Sequence, residues 1–138
     1  MAGKTKWYGE QIQEMIRAEM GRRIDACCIA VEGYAKKLLS VEGGTKLTGR
    51  DSKCRFQSKI INNTNPSKPG EPPHKQSGHL LGKVAHERTG LIGRVGTSVP
   101  YGRLLELGTS RMAARPWLRR SLNAMQGFIR AVMSRPIK

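Results

Sequence analysis

A chain of 138 residues, 38% hydrophobic with a mean hydropathy of −0.49, holds material for one domain with one modest core and excludes a large multi-domain architecture. Its 25 Lys and Arg against 10 Asp and Glu give a formal charge of +15 and a pI near 10.5, which points to polyanionic partners, nucleic acid or an acidic protein. No apolar run approaches the roughly 20 residues that span a bilayer, and the N-terminus lacks an apolar signal-peptide core, so a protein soluble where it is made is expected.

The basic residues are scattered instead of gathered in one arm, so general solubility is the competing account of the charge. Residues 1–6 read as a short basic tail.

From residue 7 to residue 40, apolar side chains fall at Ile12, Ile16, Met20, Ile24, Cys27 or Cys28, Val31, Tyr34 and Leu38. Spacings of three and four draw one stripe along a helix, with Arg17, Arg22, Arg23, Lys36 and Lys37 off it. An unbroken helix of about 34 residues is roughly 50 Å long, more than a small domain covers with its own core, so part of the stripe is expected to meet another subunit. The alternative is two helices broken near Gly21 or Gly33. The paired glycines Gly43 and Gly44 stop the pattern.

Residues 41–76 read as an extended arm. Residues 46–63 are polar and basic, with a hint of strand alternation at Cys54, Phe56 and Ser58. Pro66, Pro69, Pro72 and Pro73 each fix φ and push the preceding residue toward extended geometry, which predicts a semi-rigid arm over 65–74.

Residues 77–138 hold the remaining elements. A hairpin is predicted from 83–87 and 91–98 with its turn at Arg88, Thr89 and Gly90. The second strand puts Leu91, Gly93, Val95 and Thr97 on one face, and Gly93 and Gly96 signal either bulges or close approach of another backbone. Pro100 ends the strand, and a short helix over 101–107 turns Leu104, Leu105 and Leu107 inward. Glu106 is an acid among bases, for which an ion pair with Arg103 or Arg111 is expected. Gly108, Thr109, Ser110, Arg111 and Met112 read as a hinge. A last helix opens with Pro116 at its first position, carries the stripe Leu118, Leu122, Met125, Ile129 and Val132 or Met133, and closes before Pro136. Packed with the first helix across one face of the small sheet, it gives a single α+β domain of two layers.

The chemistry-bearing signals are few. Cys27, Cys28 and Cys54 form no C-x-x-C pair and read as small core residues, and His74, His79 and His86 lack the further ligands of a zinc site. There is no nucleophile elbow, phosphate loop, metalloprotease motif or carboxylate pair set for acid and base work, so no enzymatic activity and no cofactor are expected.

Six segments occur in a fixed order: PGEPP (69–73), QSGHL (76–80), RVGT (94–97), PY (100–101), LELGTSRM (105–112) and ARPWL (114–118). In this order, over about the last half of the chain and behind a long N-terminal helix, the sequence resembles the neck and tail-component family of long-tailed double-stranded DNA bacteriophages, typified by the gene-ten product of an HK-type lambdoid phage. The departure lies in the basic 46–63 region.

The resemblance implies a non-enzymatic structural protein of the virion, made in the bacterial host and placed at the head–tail junction. It would be a neck, head–tail connector or tail-completion protein forming a ring around the DNA path. The partners implied are further copies of the chain, the portal-side connector protein, and the tail terminator or tail tube, with at most nonspecific contact to the DNA.

Docking is expected at Pro69, Gly70, Glu71, Pro72 and Pro73, and at Gly108, Thr109, Ser110, Arg111, Met112, Arg115, Pro116 and Trp117. Arg115 and Trp117 would be anchors, because Arg and Trp are enriched at interface hot spots; a core position is the other reading of Trp117. Much of the positive surface is expected to face acidic neighbours, since a channel that DNA crosses quickly should not hold phosphate tightly. The alternatives are a small basic DNA-binding protein, against which stands the lack of a helix-turn-helix, zinc finger or RNA-recognition signature, and a tail terminator.

Overall fold

The computed structural model describes residues 8–41 and 67–137. The 1–6 tail, the 46–63 region with Cys54, and the first part of the proline segment lie outside these residues. The element order is α1 (Gly9–Leu39), α2 (His79–Gly82), β1 (Val84–Thr89), β2 (Ile92–Thr97), α3 (Pro100–Leu107) and α4 (Leu118–Met133). A long N-terminal helix, a C-terminal helix and a two-stranded antiparallel sheet make this an α+β protein.

α1 is one helix of 31 residues, unbroken at Gly21 and Gly33. It is the spine against which both strands and α4 pack. Because it has neighbours on two sides, its covered surface is wider than one stripe and takes in Gly21, Arg23, Cys27, Cys28, Val31, Ala35 and Leu39. The stripe read from the sequence is corrected at both ends. Ile12 and Ile16 are exposed, as are Tyr8 and Met15. Toward the C-terminus, Ala35 and Leu39 are buried while Tyr34 and Leu38 are only half-buried.

Arg23, expected on the polar face, is 8% exposed. Its guanidinium donates to the carbonyls of Arg135 and, at 3.1 Å, Pro136, just past the C-terminus of α4. A cation there meets the negative end of the helix dipole and satisfies backbone oxygens that lack helical partners. Glu19 accepts from the same side chain at 3.0 Å, so the buried charge is paired.

The hairpin keeps continuous register, from Val84 opposite Thr97 to Thr89 opposite Ile92. Its two-residue turn is Gly90 and Leu91, one position beyond the expected one, with Gly90 at φ 61°. There is no bulge between the strands: at Gly93 it is α1 that comes close. A Cβ there would lie 2.3 Å from Cys28 Sγ and 2.8 Å from Ile24 Cγ2, so β2 seats on α1 only because this position has no side chain. β1 is tied to the helix by Arg88 Nε donating to Asp25 at 2.8 Å and by His86 against Glu32.

The buried cluster is Ala35, Leu39, Leu80, Val84, Val99 and Trp117, with Leu81, Val95, Leu105 and Leu118 packed around it. It sits at the C-terminal end of α1, where α2, the strand ends and the start of α4 converge. Of the leucines expected to turn inward from α3, only Leu105 does; Leu104 and Leu107 are exposed at 50% and 56%. Cys27 and Cys28 are buried free thiols, and burial pushes both up in pKa.

Candidate functional site

The proline segment and the segment after α3 were separate expectations; in the fold they share one surface. The Gly70 N–H donates to the Ala114 carbonyl at 3.0 Å. Proline at 69 and glycine at 70 build a tight turn, closed by the Glu71 N–H donating to the Lys68 carbonyl at 3.0 Å. Pro69 supplies the fixed φ of the first central position, and Gly70, at φ 82°, the left-handed second, which is a type II turn. The expected straight arm is therefore corrected: the chain reverses at 69–70 and lies back on its own body. Pro69, Gly70 and Glu71 are exposed at the tip, Pro72 is half-buried, and Pro73 is buried.

On the other side, the expected hinge is a closed turn. The Thr109 N–H donates to the Met112 carbonyl at 2.8 Å and the Met112 N–H returns to the Thr109 carbonyl at 3.3 Å. Thr109 Oγ1 also accepts the Met112 N–H at 3.1 Å, leaving Ser110 and Arg111 exposed at the tip. Gly108 enters the turn at φ 77° and ψ 177°, a region essentially reserved for glycine, with Ala114 N only 2.8 Å from where a Cβ would stand. Such a segment is stiff, because its hydrogen bonds and its glycine geometry determine each other.

α4 starts at Leu118 with Trp117 as its cap residue, so Pro116 precedes the helix instead of opening it. What starts the helix is Glu106, whose carboxylate accepts the N–H groups of Trp117 at 2.8 Å, Leu118 at 2.9 Å and Arg119 at 2.9 Å. The ion pair expected for Glu106 is thus corrected to a capping role: three N–H groups without helical partners lie nearer than either arginine and complement a negative charge. Trp117 is 1% exposed and its indole N–H donates to the Gly102 carbonyl at 3.3 Å. Of its two readings, the core position is the one its burial matches, and the ring has no surface to offer a neighbour. Arg115 is half-buried, held by its N–H donating to the Leu105 carbonyl at 2.7 Å.

Searches against protein families, curated proteins and solved structures found no match.

The two segments meet over a pocket of about 220 Å³ that both Pro73 and Arg115 line. Its wall is mixed: Leu39, Leu80 and Leu105 from the core side, and Ser67, His74, Lys75, His79 and Tyr101 from the rim. No Asp or Glu is among the described lining residues. Nearby in sequence, Arg103, Arg111, Arg119 and Arg120 are exposed and make no ion pair among the described residues. Chemically, this surface presents stiff backbone, hydrogen-bond donors and positive charge. Among the described residues no group of His, Cys, Asp and Glu could hold a metal ion. Sequence reasoning found Pro73 and Arg115 but missed Ser67 and the histidines as their neighbours, since no local pattern signals that these segments converge.

Proposed function

We propose that this chain is a structural, non-enzymatic protein of the phage head–tail junction, a neck or tail-completion protein that assembles as a ring around the DNA path and joins the head-side connector to the tail. The observation that carries the reading is the ordered set of segments from residue 69 to residue 118, which gives the resemblance. Its two docking stretches, 69–73 and 108–116, are consistent with that role, since they are rigid and hydrogen-bonded to each other. Stiff surface segments lose little conformational entropy when a partner docks on them.

α1 supports the ring in a second way. Its opening turns expose Ile12, Met15 and Ile16. A neighbouring copy supplies the cover in a head-to-tail ring, where each subunit offers one surface and receives another. The unpaired arginines around α3 and α4 suit acidic surfaces of the connector or the tail.

The test is electron microscopy of a lysate from the parent phage with this gene disrupted, scoring heads, tails and joined particles. DNA-filled heads beside free tails are expected. Tails of uncontrolled length would move the protein to tail termination, and normal infectious particles would put a small basic DNA-binding protein in its place.

A further inference from the structure

We infer that the outward face of α3, with the arginines beside it, is a docking surface for an acidic protein segment that carries apolar side chains at helical spacing. The inference deepens the junction reading and rests on it for the presence of such a neighbour; the chemistry that selects the neighbour is read from the surface itself.

Three contacts fix which way α3 faces. Gly102 is buried against the end of β2, where an added Cβ would stand 2.5 Å from Thr97 Cγ2. The Gly102 carbonyl accepts the Trp117 indole N–H at 3.3 Å, and the Glu106 carboxylate accepts the N–H groups at the start of α4. With Gly102, Leu105 and Glu106 turned to the body, a roll of the helix that buried the opposite side would break these contacts.

That opposite side is apolar. Tyr101, Leu104 and Leu107 are all exposed and follow one another at intervals of three, which makes them neighbours on a helix surface. A single exposed leucine is ordinary, but a contiguous apolar row with a polar rim marks a contact site.

The rim decides the partner. From residue 100 to residue 120 the chain has five arginines and one acid, Glu106, whose oxygens are engaged by α4. Arg103 lies four residues before Leu107 and so beside it on the helix, and Arg111 stands at the tip of the turn that follows α3. Arg119 and Arg120 lie on the first turn of α4, which the Arg119 N–H joins to α3 through Glu106. These four are exposed, and their side chains make no ion pair among the described residues. Glu71, brought alongside by the Gly70–Ala114 hydrogen bond, still leaves the balance positive. The complementary partner is therefore acidic.

Duplex DNA is acidic too, and the apolar row chooses between the two. Nucleic-acid interfaces are more polar and much more basic than protein–protein ones, in which an apolar centre sits inside a polar rim. Leu104 and Leu107 gain nothing from phosphates, but they bury against apolar side chains.

Fluorescence anisotropy with the full chain and labelled probes tests this. The probes are the peptide Glu-Leu-Glu-Glu-Leu-Leu-Glu-Glu-Leu-Glu-Glu, its counterpart with serine in place of every leucine, and a short DNA duplex. The leucine peptide is expected to bind about tenfold or more tightly than the serine peptide of equal charge. The double variant Leu104→Ser, Leu107→Ser should lose about that factor toward the leucine peptide while holding the duplex as the wild type does. The double variant Arg103→Gln, Arg119→Gln should weaken the leucine peptide about tenfold and flatten its dependence on salt, a signature that remains if the leucine variant fails to fold.

Equal affinity for the two peptides overturns the inference, as does leucine-peptide binding undiminished in either variant. So does a duplex bound more tightly than the leucine peptide and weakened by the same arginine changes, which would make this a nucleic-acid surface. The phage experiment fails separately: heads beside free tails with no peptide binding would remove the docking surface alone, and normal particles with peptide binding intact would remove the junction reading alone.

Discussion

The Glu106 carboxylate stands 2.8 Å from the backbone nitrogen of Trp117, and with two further N–H groups it closes the start of α4 from a different helix. One side chain thereby fixes the distance between α3 and α4 and so the shape of the 108–116 turn. Glu106→Ala is expected to lower stability by about 1–3 kcal/mol, because an end cap is lost and three N–H groups lose their acceptor. Glu106→Gln, which keeps one acceptor oxygen, should fall between. Urea unfolding measures both, and an unchanged midpoint in Glu106→Ala would show that α4 starts without this cap.

Trp117 fills the centre of the core at 1% exposure. Trp117→Ala should cost about 3–5 kcal/mol, enough to remove most of the stability of a small domain. Loss of the cooperative melt in circular dichroism is the expected result. A variant that melts as the wild type does yet fails to self-associate would restore the interface role for this residue.

Gly93 and Gly96 lie on the same strand in different surroundings. Gly93→Ala places a methyl group against Cys28 and Ile24, whereas Gly96→Ala meets nothing within 4 Å. The first should cost about 1–3 kcal/mol and the second little. Cys28→Ala should recover part of the loss in Gly93→Ala, since it removes the nearer clash, and a double-mutant cycle by chemical denaturation measures the coupling.

Glu32 is half-buried between α1 and β1. Hydrogen bonds, first from Lys36 and then with His86, hold its carboxyl below the ordinary value of 4.5. A carboxylate whose pKa is depressed in the folded state adds stability above 4.5, which is lost as pH falls through the lowered folded value. Unfolding midpoints taken from neutral pH downward should therefore drop on the acid side, and Glu32→Gln should flatten that drop. Some slope remains in the variant, because Glu19 is lowered in the same direction by Arg22 and Arg23. Equal acid slopes in both proteins would rule out a contribution from Glu32.

The sequence by itself determined the two long helices, the hairpin and the short helix after it, but not α2. Spacings of three and four along α1 and α4, and alternation around Val95, reflect geometry within one helix or strand, so they are written locally. The long unbroken α1, the hairpin and the α+β class follow from that. The tertiary structure decided what each face meets. Arg23 looks like a solvent-facing base until the end of α4, 112 residues away in sequence, brings carbonyls to it. Glu106 looks like half of an ion pair until the chain turns back and offers it the N–H of Trp117, 11 residues on. The proline segment reads as an extended arm because each proline restrains its own neighbourhood, but its turn onto Ala114 is a contact between distant segments. Local periodicity carries no record of such contacts, and the candidate site is made of them: Ser67, Pro73 and Arg115 became neighbours only when the chain folded.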